Sequence, residues 1–454
     1  MKRMKNLLAL LAVLVVLMAA TFAARKWNPE NQVEETIPAE VVFTLDAETV
    51  TALSWDYSEA LNFEKEGDTW VYADDPVFAL DESFITSALE ALVSVESSKT
   101  IEDVEDFDQY GLEVPVCAIT VTAGETYELA IGQETTMGGE RYFSVGDGNV
   151  YLVDEEIIDT FSYGLYDLLT YETIPDMTDV MYVTVSAGEE SFTLNYQENS
   201  GLSYSDEYVW FLNDEALDTE LTESFLSNVT GLSWIECVNY NAEDLSAYGL
   251  DDPAATVKVR YILTEEESTS AQDFILEIGD DTGDGCYARI AGSNMVYLID
   301  SAVREAMLYT TSADLMPDEV ILLDWEEVTA FDFTLNGETC TVTRDTKTVT
   351  DDEGNETEET VYLLNGEEVD ISGITDVLDD LTSAGYAAGL TPERSEEIRI
   401  VFHRDRETFP EVELAFYAYN SSACLTTLNG ASTVLADRTG VAALVEAVNE
   451  LILG

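Results

Sequence analysis

Few residues in this 454-residue chain could do chemistry, and their scarcity already sorts the options. There is one histidine, His403. A single imidazole excludes a multi-histidine metal centre and leaves one side chain for any histidine-dependent proton transfer. It lies in Ile398-Arg399-Ile400-Val401-Phe402-His403. Period-two alternation there turns Ile398, Ile400 and Phe402 inward and Arg399 and His403 outward. Cys117, Cys237, Cys286, Cys340 and Cys424 are odd in number, widely spaced and free of any C-x-x-C pair. Neither a zinc site nor a dense disulfide framework fits that pattern. Isolated cysteines in apolar strands read as small buried hydrophobes. No phosphate loop or dinucleotide fingerprint occurs, so the chain is not an ATPase. The expectation is a protein without catalytic residues or a cofactor.

Acid is abundant: 92 Asp and Glu stand against 19 Lys and Arg, a net charge of −73. A surface this negative repels phosphate backbones, so nucleic acid is not an expected partner. Asp280-Asp281-Thr282-Gly283-Asp284-Gly285 has the opening of a calcium loop, which makes Asp280, Asp281 and Asp284 weak candidates for Ca²⁺ or Mg²⁺. The twelfth position is Ala291 instead of a bidentate glutamate, so the plain reading is an acidic hairpin turn. Arg394, Arg399, Arg404 and Arg406 cluster within one short stretch. In so negative a field they form either an internal salt-bridge seam or a docking site for an acidic partner.

The elements that must position these residues repeat themselves. Tyr110-Gly111-Leu112-Glu113-Val114-Pro115 recurs as Tyr248-Gly249-Leu250-Asp251-Asp252-Pro253. Trp70 answers to Trp210, Ile131-Gly132 to Ile278-Gly279, and Val150 to Asp154 answers to Val296 to Asp300. A third, worn copy shows in Val361 to Gly366 and in Gly389-Leu390-Thr391-Pro392. Within a copy, alternating strand-like segments give way to helical spacing at Phe84, Ile85, Leu89 and Leu92, capped by Asp81 or Ser83. The Tyr-Gly-Leu-x-x-Pro turn follows, with glycine for a positive φ and proline to open an extended segment. Strands are then expected at 117–122, 127–131, 142–145 and 150–153, and a closing helix over 155–169. Tyr110 and Tyr248 either line a groove or pack under their own turns, each hydroxyl reaching a backbone carbonyl. Trp70 and Trp210 either stack on a ligand or belong to the core. Gly111, Leu112, Pro115, Gly249, Leu250 and Pro253 complete the structural motif.

In this order, twice over, the motifs resemble the domain-of-unknown-function 4340 family of bacterial envelope proteins. The likeness covers residues 40 to 310 well and the rest weakly. It implies an accessory role beside an ABC-type export system and a gliding-motility-type auxiliary subunit. It brings no catalytic residues to carry over.

Leu7 to Ala24 is uncharged and, as a helix, spans about 27 Å. Lys2, Arg3 and Lys5 precede it, which places the N-terminus in the cytoplasm and the bulk outside a single-pass cell-membrane anchor; Trp27 makes an interfacial contact. A cleaved signal peptide ending near Thr21 to Ala24 is the competing reading, and it too exports the rest. The expected class is α+β: an N-terminal transmembrane helix followed by repeated antiparallel-sheet-plus-helix units. The expected divisions are 1–27 cytoplasmic tip and anchor, 28–40 linker, 41–172 first repeat, 173–312 second repeat and 313–454 degenerate third repeat. The expected function is a non-enzymatic, acidic, membrane-bound accessory of an ABC-type transport system. The alternative is an exported binding module for glycan, peptide or divalent cation.

Overall fold

The structure is a computed structural model that describes residues 39–265, 268–350, 356–387 and 389–453. The chain divides into two compact units, 1–172 and 173–454.

In the first unit, alternation decides the sheet. Leu53 and Trp55 on Ala52–Asp56, and Leu61 and Phe63 on Ala60–Glu66, point to one buried face. The eight-stranded sheet runs in the spatial order Thr69–Tyr72, Ala60–Glu66, Ala52–Asp56, Cys117–Ala123, Glu125–Glu134, Glu140–Ser144, Val150–Asp154, Lys99–Ile101. The helix Glu82–Val93 starts where Asp81 accepts a hydrogen bond from the Ser83 amide, and it buries Ile85, Ala88, Leu89 and Leu92. From its end the chain crosses to the far edge, where Lys99–Ile101 pairs with Val150–Asp154. Glu40–Thr44 pairs with Ser94–Ser97 in a separate two-stranded sheet.

The second unit holds two nine-stranded sheets with the same path. One begins with the hairpin Asp179–Ala187 and Glu190–Tyr196, passes through the helix Thr219–Thr230, and places Glu236–Asn239 at the far edge beside Val296–Ile299. The other begins with Val328–Leu335 and Glu338–Thr350, passes through the helix Ser372–Asp379, and places Ser383–Tyr386 beside Ala431–Asp437. Every strand pair among the described residues is antiparallel. The third copy, worn in sequence, is thus complete in topology, because a strand needs alternation more than particular residues.

Three expectations are corrected. Among the described residues the fold is mostly antiparallel β, with four sheets against helices of eight to sixteen residues, and not the α+β class expected. The closing helix expected over 155–169 is two 3₁₀ turns, Glu155–Phe161 and Leu165–Leu168. Ile157, Ile158 and Thr160 are stiff in a helix, and Gly164 is extended between the turns. Third, no helix among the described residues is long and apolar enough to cross a membrane. The single-pass placement therefore gives way to a chain with no spanning helix in its described part. The segment 7–24 on which that placement rested lies outside the described residues.

Candidate functional site

The repeated motif folds into a local lock. Gly111 and Gly249 end short 3₁₀ turns at φ +67° and +66°, the left-handed region that glycine alone adopts cheaply. Gly132 and Gly279, from the Ile-Gly pairs, back onto those turns. A Cβ at Gly132 would stand 2.4 Å from the Tyr110 carbonyl oxygen, and one at Gly279 would stand 2.1 Å from that of Tyr248. Leu112 and Leu250 are buried beside the same glycines. Tyr110 packs on Tyr142 at 4.8 Å and Tyr248 on Tyr287 at 5.0 Å between ring centres. The Tyr248 hydroxyl accepts from the Asn239 side-chain amide at 3.0 Å instead of donating to a backbone carbonyl. Pro115 and Pro253 are half-buried at the entry to Cys117–Ala123 and Ala255–Glu265. Trp70 and Trp210 occupy equivalent strands and are buried.

The arginines lie in ion pairs, Arg394 excepted. Arg399 meets Glu396 at 2.6 Å and Glu413 at 3.3 Å. Arg404 is buried, donates to Glu327 at 2.6 Å and donates to the Tyr204 carbonyl at 2.6 Å. Arg406 meets Asp206 at 2.6 Å and Glu327 at 3.3 Å. Arg394 is exposed, outside this network. Arg404 and Arg406, sharing Glu327, thus form a seam that ties residues 204–206 to the third copy, while Arg399 is paired separately within that copy.

His403 stands between Asp332, at 2.8 Å from Nε2, and Glu411, at 3.3 Å from Nδ1. Burial pushes the Asp332 carboxyl up, but hydrogen bonds from Thr341 and His403, with the His403 charge, hold it below the usual carboxylate range. The five cysteines are free. Burial raises the thiol of Cys117 to about 12 and that of Cys286 to about 11, so neither is an available nucleophile at neutral pH. Asp281 accepts from the Gly283 amide at 2.7 Å in the hairpin turn, and the Asp280 carboxyl would be 2.6 Å from a Cβ at Gly249. Asp280, Asp281 and Asp284 do not converge on one point; among the described residues the acidic groups that do are Asp218, Asp318 and Glu319, within 4.8 Å of one another.

Glu319 leads to a cavity that the sequence reading missed. The cavity lies between the second and third copies and encloses about 300 Å³. Tyr204, Tyr208, Val320, Phe409 and Val434 supply apolar wall. Two buried polar atoms on residues lining it, Glu319 Oε2 and Thr433 Oγ1, have no hydrogen-bond partner. Burial raises the Glu319 carboxyl above its usual range; its own backbone hydrogen bond opposes the rise, and the charges of Asp218, Asp318 and Glu220 add to it. Tyr204 and Tyr208 come from residues 197–209, which join Glu190–Tyr196 to Trp210–Leu212. Both tyrosines belong to the core of the third copy. Tyr204 accepts a hydrogen bond from the Leu322 amide at 3.0 Å, and its own hydroxyl is raised to about 12, chiefly by burial. Tyr386 bridges back to the second copy, donating to Glu215 at 3.1 Å. Phe409 holds φ +50°, a strained conformation for a bulky residue. The legible signal was length: the first copy joins the equivalent strands with residues 67 and 68 alone.

The model of the family described as Domain of unknown function (DUF4340) matches residues 70–220 and again 210–399. The chain belongs to the DUF4340 family. Both family matches begin at the buried tryptophan of a copy, Trp70 and Trp210, and the second runs into Glu396–Arg404 of the third sheet. No curated protein matches this DUF4340 chain. A thioesterase-like protein from Clostridium sporogenes is similar at 14% identity over 30% of this chain and all of its own, with a TM-score of 0.19. At that score the likeness supports no statement about fold or activity.

Proposed function

We propose that this DUF4340 protein is a non-enzymatic binding protein whose ligand site is the cavity between its second and third copies. The observation that carries the reading is a largely apolar cavity of about 300 Å³ whose charged lining residues, Glu215 and Glu319, are both acidic. Small-molecule sites are typically concave and mostly apolar, with a few polar groups that fix orientation. Other chemistry-bearing residues are engaged: His403 between two carboxylates, the thiols of Cys117 and Cys286 raised by burial, and Arg404 and Arg406 in the seam. The family resemblance adds an accessory role in an ABC-type transport system, in which the bound molecule would be cargo or signal.

Two measurements on the full chain test this. Ala216→Phe, which fills the cavity from its wall, should abolish the shift in unfolding temperature caused by any bound small molecule while leaving the apo midpoint nearly unchanged. Turnover of an ester, peptide or glycoside panel that disappears in Glu319→Gln would overturn the non-enzymatic reading. Affinity purification should recover transporter subunits with the chain; recovery of the chain alone would remove the accessory role.

A further inference from the structure

We infer that the cavity takes a primary ammonium ion carrying a short apolar chain, with the Glu319 carboxylate as counter-ion and the Tyr204, Tyr208 and Phe409 rings as walls. This rests on the binding reading above and assigns its ligand class.

Charge selects the sign. None of the residues lining the cavity is basic, and Arg404, which touches Tyr204, is paired with Glu327. Asp218 and Asp318 stand beside Glu319 and deepen the negative potential. An anion would meet only repulsion. A neutral ligand would leave a desolvated carboxylate without a compensating charge.

Hydrogen bonding selects the head group. The acidic lining residues Glu215 and Glu319 accept hydrogen bonds when ionised, so a donor head group suits them. A primary ammonium offers three donors to the acidic lining. A quaternary ammonium offers none. A bare divalent ion needs about six oxygen ligands. Here Asp218 already accepts from the Leu221 amide at 2.7 Å to cap a helix, and Glu215 already accepts from Tyr386.

The walls select the tail. Aromatic faces attract cations and pack well on methylenes. About 300 Å³ equals about ten water volumes at about 30 Å³ each, room for a ligand of roughly ten non-hydrogen atoms.

The test is calorimetry on the full chain with n-hexylammonium chloride, hexyltrimethylammonium chloride, hexanol, hexanoate and calcium chloride, each alone. Hexylammonium should bind, at least tenfold more tightly than hexyltrimethylammonium or hexanol, and hexanoate and calcium should give no heat. Glu319→Gln should weaken hexylammonium at least tenfold while keeping a cooperative unfolding transition; Ala216→Phe should abolish binding. Equal affinity for hexanol and hexylammonium would overturn the cation assignment while leaving a binding cavity in place. Heat from calcium alone, lost in Glu319→Gln, would replace the amine with a metal. No heat from any probe would overturn the amine assignment, and the cavity reading would fail separately if Ala216→Phe left the unfolding-temperature shift caused by a bound small molecule unchanged.

Discussion

Gly279 shows how little latitude the repeated motif leaves to a single residue. Its missing Cβ makes room for the Tyr248 carbonyl at a distance no side chain tolerates. Gly279→Ala should therefore force the turn apart and cost about 2–3 kcal/mol in chemical denaturation. Gly249→Val combines a positive φ with contact at 2.6 Å to Asp280, and the cost should be similar. A midpoint unchanged in both variants would mean that the turn is not what holds Ile278-Gly279 in place. Glu319 behaves in the opposite sense. Its folded-state carboxyl is raised, so the folded state binds its proton more tightly than the unfolded state does, and ionisation opposes folding. Stability attributable to this group is greatest below the unfolded pKa and falls as pH rises through the raised folded pKa. Glu319→Gln should raise the unfolding midpoint at neutral pH, with the gain vanishing in acid; a midpoint lowered at neutral pH would show that the carboxylate already has a favourable partner.

At the scale of the element, caps set where the helices begin. Asp81 accepts from Ser83 and Asp218 from Leu221, and each opens a twelve-residue helix. Asp81→Ala should cost about 1 kcal/mol, the ordinary value of such a cap. Asp218→Ala should cost less, because it also removes a like charge beside Glu319. Urea midpoints of the two variants decide this, and equal losses would mean that Asp218 and Glu319 do not interact. The closing segments teach the same lesson from the other side. Ser301–Tyr309 and Arg438–Leu453 form α-helices where the first copy makes only 3₁₀ turns, since Ala302, Ala306, Ala442 and Ala443 fill a helix that Ile157, Ile158 and Thr160 strain.

At the scale of the molecule, the second and third copies are joined by a loop driven into a neighbouring core. Arg404 closes that junction with a side chain only 2% exposed. Arg404→Met should leave the Tyr204 carbonyl without its donor and Glu327 with only its longer contact to Arg406, and cost about 2 kcal/mol. It should also split the unfolding of 173–454 into two transitions, which calorimetry resolves; one unbroken transition would place the coupling elsewhere. The net charge of −73 acts on the whole chain. Self-repulsion is screened by salt, so the unfolding temperature should rise as sodium chloride goes from about 0.01 M to about 0.5 M. A flat profile would mean that the carboxylates are already locally compensated.

The sequence by itself determined what depends on near neighbours. Alternation along Cys117–Ala123 and Val150–Asp154, the helical spacing of Ile85, Leu89 and Leu92, and the glycine of the Tyr-Gly-Leu turn are all local patterns. Recurrence of those patterns made the copies legible too. Only the tertiary structure decided the site. Tyr204, Glu319, Phe409 and Thr433 lie far apart in the chain, and each looks unremarkable among 23 tyrosines and 92 acids. What marks them is desolvation, and burial is a property of the packed sheets and of the loop that enters them. The balance between strand and helix was misjudged for a related reason. Each copy shows its helix plainly, but the sheet grows strand by strand from short edge pairs such as Glu215–Ala216 and Glu367–Val369, whose existence depends on the strand beside them.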